Sequence, residues 1–221
     1  MKAVIENKQK VLPPEQMDSN YFDELAAEIA ALLDACWGHA LVLFTSYAAM
    51  SAIKERLAEM NLSWDIFTLG RSAVHTTQQF KAEPGSVLLA TGAAWEGFDF
   101  PGDCVSLLVI PRLPFSRPDA LKEKKQAEYP DLRSFIRAVV VPEMQIKLKQ
   151  GFGRAIRTKT DTCVVAILDE RATPGQRHFE AMRATLPEMR VTDSLEDVVD
   201  FIYQVKGPDY FREGGNDQRK E

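Results

Sequence analysis

The run Ala40-Leu41-Val42-Leu43-Phe44 decides the fold class of this chain. Five consecutive apolar residues are too few for a helix, and they lack the alternation of a strand with one face in water. Such a run is typical of a parallel strand that is buried on both faces. Further strands of this kind are predicted at residues 64–69, 87–90, 105–110 and 163–168.

Segments with helical periodicity separate these strands. From Tyr21 to Trp37, apolar residues recur at spacings of three and four, and Gly38 is placed to end that helix. Other helices are predicted at 48–60, 73–81 and 194–205, and a long, mostly helical insert at about 118–157 precedes the last strand. Because strands and helices alternate, the sequence predicts a three-layer α/β fold with a mostly parallel central sheet.

The two ends of the chain differ in composition from its centre. Residues 1–19 are polar and contain Pro13-Pro14, so we predict a linker there, followed by one domain at 20–206. Residues 207–221 are polar and Gly-rich, which predicts a flexible tail. No signal-peptide core and no apolar run near the roughly 20 residues of a membrane span is present, so we expect a cytoplasmic protein without membrane contact.

The charge of the chain is unevenly distributed. Its net charge is −5, yet residues 112–159 hold 12 Lys and Arg against 5 Asp and Glu. This basic segment is a candidate nucleic-acid-facing surface, and a solvated helical face is the alternative. Its candidate contact residues are Lys122, Lys124, Lys125, Arg133, Arg137, Lys147 and Lys149.

The segment Gln150-Gly151-Phe152-Gly153-Arg154-Ala155-Ile156-Arg157 carries the sharpest chemical signal. At helical spacing Gln150, Arg154 and Arg157 share one face and form a polydentate clamp for an anion. Each glycine costs a helix about 1 kcal/mol relative to Ala, which is explained if the backbone must approach something closely. A triphosphate undergoing hydrolysis needs such a clamp, whereas the alternative is a surface helix with Arg–Glu pairs.

Polar residues also follow two predicted strands, at the carboxyl ends where α/β sheets bind ligands. Thr45 and Ser46 follow the first strand. The segment from Thr91 to Gly102, which contains Trp95-Glu96-Gly97-Phe98-Asp99, follows the third.

The order and spacing of these segments resemble the DinG/XPD branch of superfamily 2 DNA helicases. The shared patterns are QxxGRxxR, TGxxWEGxDxPG and Leu113-Pro114-Phe115, and the resemblance runs from about Tyr21 to Val205. It implies the second, C-terminal RecA-like domain (P-loop NTPase-like) of an ATP-dependent helicase that moves on single-stranded DNA, with 5′ to 3′ polarity.

The resemblance also implies a role for each matching residue. Gln150, Arg154 and Arg157 match the motif whose arginines act as fingers on ATP from across the cleft between two RecA-like domains. Nucleotide-binding roles are implied for Glu96, Gly97, Asp99 and Gly153. Nucleic-acid contacts are expected at Thr45, Ser46, Thr91, Lys124, Lys125 and Arg137.

Several of these residues have alternative interpretations. Ser46 is also suited to cap the following helix, and Asp99 to form an Asx turn before Pro101-Gly102. Trp95 and Phe98 are suited to stack on bases, but large aromatics beside a buried strand are more often core residues. Glu96 and Asp99 could also be interpreted as a catalytic carboxylate pair, but nothing else in the chain supports glycoside or metal chemistry.

Half of an ATPase site is missing from this sequence. It contains no GxxxxGK[ST] loop, so ATP and Mg²⁺ would be shared with a first RecA-like domain of the same parent protein, and the isolated chain is expected to be inactive. Cys36, Cys104 and Cys163 are too few for a four-cysteine iron–sulfur cluster, which is possible only elsewhere in the parent. The alternative function is a non-catalytic nucleic-acid-binding or regulatory module with a helicase-like fold.

Overall fold

One parallel β-sheet organises the protein. The structure is a computed structural model that describes residues 3–6, 19–70, 73–95, 97, 100, 104–156, 158 and 161–211. Within these ranges the strands are β1 Ala3–Glu6, β2 Ala40–Phe44, β3 Ile66–Thr68, β4 Val87–Thr91, β5 Leu107–Ile110, β6 Val164–Ile167 and β7 Arg190–Thr192. Their order is β3-β4-β2-β5-β6-β1-β7, and all neighbours are parallel.

Helices cover both faces of this sheet. They are α1 Ser19–Ala35, α2 Tyr47–Glu59, α3 Ala73–Ala82, α4 Ala120–Gln126, α5 Leu132–Phe135, a π-helix Ile136–Val140, α6 Val141–Ala155, α7 Phe179–Arg183 and α8 Leu195–Val205. Short 3-10 helices occupy Gly92–Trp95, Glu170–Ala172 and Pro208–Phe211. None of the helices in the described part of the chain combines the length and hydrophobicity of a membrane span.

The alternation of side chains along β2 shows why its sequence is apolar throughout. Ala40, Val42 and Phe44 pack in one core with α1, α2 and α8, whereas Leu41 and Leu43 pack in a second core with α3, α6 and α7. A strand between two helical layers has no solvent-facing side, so polar alternation is absent. The predicted three-layer α/β fold with a helical insert is confirmed.

The helical insert changes its winding at the π-helix. Pro142 has no N–H with which to bond the carbonyl four residues earlier, and the turn before it is the wider π turn. The buried side chains Phe135, Val139, Met144 and Leu148 therefore step by four, five and four residues. Met144 and Leu148 pack in the second core, and the five-residue step keeps Phe135 and Val139 buried as well.

The prediction that residues 1–19 form a linker is wrong for residues 3–6. These residues form β1, which pairs with β6 and β7 in the register Ala3↔Val164 and Ala3↔Arg190. β1 has only four residues, and it is held in the sheet by pairing with β6 and β7, which lie far away in sequence. Local composition therefore could not predict this strand. Residues 7–18 lie outside the described residues.

The prediction of a flexible tail from residue 207 is also wrong at its start. Residues 208–211 form a 3-10 helix, and Tyr210 is buried. The Tyr210 hydroxyl donates to the Cys36 carbonyl at 2.5 Å, and its ring stacks on His39 with centroids 4.2 Å apart. These contacts fix the segment to the loop after α1, while residues 212–221 lie outside the described residues.

Candidate functional site

The carboxyl ends of β2 and β4 are joined through one backbone carbonyl. Thr91 Oγ1 and Trp95 Nε1 both donate to Phe44 O, each at 3.0 Å. Thr91 is 5% exposed and Trp95 is completely buried. The Thr91 hydroxyl is therefore buried and hydrogen-bonded within the sheet, and it is not exposed for the predicted nucleic-acid contact. Trp95 is confirmed as a core residue, and base stacking by its ring is excluded.

Gly151 of α6 lies directly against the buried Trp95 ring. A Cβ atom at position 151 would lie 2.7 Å from both Cε3 and Cζ3 of Trp95 and 3.1 Å from Cδ1 of Leu43. The close approach expected at this glycine is thus made to a side chain of the protein itself. The contact holds α6 against the Gly92–Trp95 turn at the carboxyl end of β4.

Gly153 has a different environment. A Cβ atom there would meet nothing within 4 Å in the described structure. The structure gives no close approach that explains this second glycine, and its predicted role beside a nucleotide stays a prediction.

Gln150 and Arg154 lie on one face of α6, as their spacing predicts. Arg154 Nε donates to the Gln150 carbonyl at 3.2 Å, and both residues are half-buried. The helix ends at Ala155, because Ile156 adopts an extended backbone with φ −130° and ψ 111°. Arg157, predicted to lie on the same helical face, lies outside the described residues, and its role stays a prediction.

The turn after β4 is described only in part. Gly92 has φ +63°, a conformation that favours glycine, and a Cβ atom there would lie 3.7 Å from the Tyr47 hydroxyl. Gly97 is exposed. Glu96, Asp99 and Phe98 lie outside the described residues.

The residues after β2 begin helix α2. Thr45 is exposed, and the backbone N–H of Ala49 donates to Ser46 Oγ at 3.2 Å. The helix-capping interpretation of Ser46 is thus confirmed. Nucleic-acid contacts by Thr45 and Ser46 stay predictions.

The basic residues of the insert divide into two groups. Lys122 Nζ binds Glu143 at 2.6 Å and also contacts Ser116, and Lys147 Nζ lies 5.8 Å from the Trp95 ring centroid. These two lysines make contacts within the protein, whereas Lys124 and Lys125 on α4 are exposed. Arg133 and Arg137 are also exposed, and both line a groove beside the π-helix.

A buried carboxylate holds the segment that follows β5. Asp169, 0% exposed, accepts hydrogen bonds from Leu113 N at 2.7 Å and from Arg171 Nη2 at 2.6 Å and Nε at 2.9 Å. The Arg171 guanidinium lies 4.9 Å from the Phe115 ring centroid. Asp169 thereby fixes the Leu113-Pro114-Phe115 segment at the carboxyl ends of β5 and β6.

Arg112 lies beside a crevice where the connections of the sheet change direction. Chain connections leave β2 and β5 toward opposite edges of the sheet, and such a switch point is a common ligand position in α/β folds. The crevice is lined by Tyr21, Phe44, Thr45, Pro111 and Arg112, among others. Burial, and then the neighbouring Arg171 guanidinium, lowers the pKa of Arg112.

A family model described as the helicase C-terminal domain matches residues 29–189. The chain belongs to the helicase C-terminal domain family. The predicted resemblance to the DinG/XPD type is confirmed by relatives and by solved structures.

This helicase C-terminal domain is 35% identical over 190 residues to the ATP-dependent helicase DinG of Mycobacterium tuberculosis, covering 85% of the chain and 28% of the relative. The ATP-dependent DNA helicase YoaA of Haemophilus influenzae is 34% identical over 191 residues, covering 86% of the chain and 30% of the relative. The 3′-5′ exonuclease DinG of Bacillus subtilis is 28% identical, covering 88% and 23%. The chain therefore spans less than a third of the length of these curated relatives.

Solved structures with the same fold include an XPD helicase, with a TM-score of 0.62 and 19% identity over 77% of this chain and 32% of that chain. The C-terminal domain of the DEAD-box protein Dbp5 has a TM-score of 0.52 and 15% identity, covering 92% and 97%. At these identities the likeness shows the fold alone, and it confirms the RecA-like prediction.

Three charged residues at the carboxyl ends of β5 and β6 were not singled out from the sequence. Asp169 and Arg171 come just after an apolar strand. A charged residue at such a position could have been predicted to lie near a ligand-binding edge, because the carboxyl ends of parallel strands meet at one edge of the sheet. Arg112 carried the same signal after β5. Within the ranges that the structure describes, no group of three or more His, Cys, Asp or Glu side chains is arranged to hold a metal ion.

Replacing Asp169 is expected to destabilise the helicase C-terminal domain. Asp169→Ala removes a buried acceptor of bonds from Leu113 and Arg171, and breaking such a pair costs about 3 kcal/mol. In a domain of this size that loss lowers Tm by roughly 10 °C, which thermal unfolding followed by circular dichroism would measure. Glu55→Ala is the control, because Glu55 is exposed on α2 and its replacement should leave Tm almost unchanged. Equal shifts in the two variants would contradict the clamp assigned to Asp169.

Proposed function

We propose that this domain is the second motor domain of a DinG-type ATP-dependent DNA helicase, and that it supplies arginine fingers to a nucleotide held by a first RecA-like domain. One observation carries the proposal most directly. The Gln150–Arg154 turn of α6 is fixed against the Gly92–Trp95 turn by the contact between Gly151 and Trp95. Two motifs separated by more than fifty residues thus meet at one edge of the sheet.

Helix α6 packs on a rigid part of the core at the turn that carries Gln150 and Arg154. Trp95 is fully buried and bonded to the Phe44 carbonyl, so the surface under Gly151 cannot shift without disturbing the core. A guanidinium on such a support stabilises charge that develops in a transition state without first having to reorganise.

The donor groups of the site suit the far side of a shared nucleotide. Gln150 and Arg154 offer amide and guanidinium donors, and the Gln150 side chain makes no hydrogen bond within the described structure. ATP with Mg²⁺ supplies the transferable phosphoryl group when it is bound. Arg154 and Arg157 neutralise negative charge on that group, and Gln150 helps to orient it. An arginine finger of this kind contributes roughly 10³–10⁵ in kcat.

The same domain faces single-stranded DNA in this proposal. Thr45 and Ser46 would contact the DNA backbone, and the segment with Glu96, Gly97 and Asp99 would couple the nucleotide to the DNA. Lys124 and Lys125 are exposed on α4 and add contacts to phosphates that are independent of sequence and sensitive to salt. Arg137 is left out of this surface because it lines the groove beside the π-helix.

The chain alone should hydrolyse almost no ATP, with or without single-stranded DNA. The 221 residues contain no GxxxxGK[ST] loop, so no backbone cradle for the β-phosphate is present in them. A coupled-enzyme ATPase assay with and without oligo(dT) tests this, with the full-length parent protein as the positive control. Robust DNA-stimulated turnover by the chain alone would exclude the half-site proposal.

A further inference from the structure

A groove of about 730 Å³ lies between the helical insert and α7, away from the α6 turn that carries Gln150 and Arg154. It is lined by Leu132, Arg133, Ile136, Arg137, Val141, Arg177, His178, Glu180 and Ala181. Gln145 Nε2 on α6 donates to the Ala181 carbonyl on α7 at 2.8 Å. That bond ties the two sides of the groove together, so the groove is preformed.

The charge of the groove is opposite to that of the whole chain. Arg133, Arg137 and Arg177 line it against a single carboxylate, Glu180, whereas the chain carries a net charge of −5. Burial, and then the nearby Arg171 and Arg177 guanidiniums, lowers the pKa of His178, so His178 adds no charge near neutral pH. The groove therefore favours an acidic occupant.

The apolar part of the groove is aliphatic. Leu132 is 55% exposed, and Ile136, Val141 and Ala181 continue the same lining. Single-stranded nucleic acids bind by stacking their bases on aromatic rings. Among the described residues that line the groove, His178 alone has a ring, and that ring already lies 4.7 Å from the Phe115 ring. An aliphatic floor between arginines suits the apolar side chains of a peptide better than it suits bases.

The π-helix shapes one wall of this groove. Ile136 and Arg137 both belong to it, and the wide turn sets where these two side chains emerge from the insert. π-helical turns are rare in proteins, and they occur frequently at functional sites. The π-helix thus supports a binding role for the groove independently of the groove's charge and volume.

We propose that this groove binds an acidic amphipathic helix of a partner protein. Leucine-like side chains of the partner would fill the space between Leu132, Ile136 and Val141. Its carboxylates would pair with Arg133, Arg137 and Arg177 at the rim. Helices that lie in apolar grooves present anchors at positions i, i+3, i+4 and i+7, which matches an open groove bordered by helices.

Fluorescence anisotropy with defined peptides tests the proposal. The probe is a labelled helical peptide of about sixteen Glu and Leu residues with leucines at i, i+3, i+4 and i+7. Its counterpart carries Lys in place of every Glu. The acidic peptide should bind and the basic peptide should not. The double variant Arg133→Glu/Arg177→Glu should weaken binding of the acidic peptide by about tenfold or more.

Matched controls separate the groove from the proposed DNA surface. Lys124→Glu/Lys125→Glu makes the same charge change on α4, and it should weaken oligo(dT) binding while leaving peptide binding unchanged. Leu132→Asp should weaken peptide binding, whereas Leu121→Asp, at a leucine that is 75% exposed outside the groove, should not.

Three results would overturn the proposal. The first is no binding of the acidic peptide, or equal binding of the acidic and basic peptides. The second is peptide binding that ignores Arg133→Glu/Arg177→Glu. The third is a loss of oligo(dT) binding in that variant as large as in the α4 variant, which would make the groove part of a nucleic-acid path. If neither the α4 variant nor the groove variant changes oligo(dT) binding while the peptide results hold, the proposed DNA surface is wrong and the peptide groove stands.

Discussion

Arg154→Ala in the full-length parent protein is expected to lower kcat for ATP hydrolysis by roughly 10³-fold or more, with little change in affinity for single-stranded DNA. The side chain lies on the face of α6 shared with Gln150, and Gly151 of the same helix packs against the turn after β4. Its proposed contribution is made only when phosphoryl transfer develops charge, so kcat should fall far more than KM rises. Steady-state ATPase assays and oligo(dT) anisotropy measure the two quantities separately.

Three companion variants make this experiment specific. Arg154→Lys keeps a positive charge but loses the planar fork of donors, so it should recover only part of the activity. Arg190→Ala removes an arginine from edge strand β7, whose exposed ion pair with Asp197 is far from the α6 site in sheet order, and kcat should be unchanged. Arg157→Ala should match Arg154→Ala if both arginines act as fingers.

The outcome also decides between a motor domain and a binding module. A module that only binds nucleic acid gains nothing from groups that act on a transition state. Near-normal hydrolysis in both Arg154→Ala and Arg157→Ala would therefore favour the non-catalytic module. A parallel loss of DNA binding and hydrolysis would instead assign these arginines to the nucleic acid.

The sequence predicted the centre of the sheet well and its far edge poorly. β2, β4, β5 and β6 are continuous apolar runs, and burial on both faces leaves that signature wherever such a strand lies. β1 and β7 have four and three residues, and the neighbours that hold them come from distant parts of the chain. Local composition carries no record of such pairing, so residues 3–6 looked like part of a linker.

Sequence spacing predicts which residues share one helix face, but not which elements come together in the fold. Helical spacing placed Gln150 and Arg154 on one face correctly, because α6 spans both positions. Counting along a helix does not reveal where the helix ends, and α6 ends at Ala155, one residue short of Ile156 with its extended backbone. Asp169 was missed because its role depends on Leu113, 56 residues earlier in the chain.

The two glycines of α6 show the same limit, and they give the sharpest test of how the site is held. Both glycines are at helical positions and have the same intrinsic cost, yet among the described residues Gly151 contacts another element and Gly153 does not. Gly151→Ala is expected to destabilise the domain by about 1–3 kcal/mol, because the added methyl would overlap the buried Trp95 ring. Gly153→Ala should instead stabilise it by about 0.5–1 kcal/mol, because the new side chain meets open space and improves helix propensity.

Urea unfolding of the two variants measures both free energies under one condition. Opposite signs, two residues apart on one helix, would show that the Gly151–Trp95 contact fixes α6, since propensity alone predicts a gain at both sites. Equal gains would mean that Trp95 can move aside, and the rigid support proposed for Arg154 would then be lost. In the full-length protein, Gly151→Ala should also lower kcat, because a displaced α6 carries Gln150 and Arg154 away from the position the phosphoryl group requires.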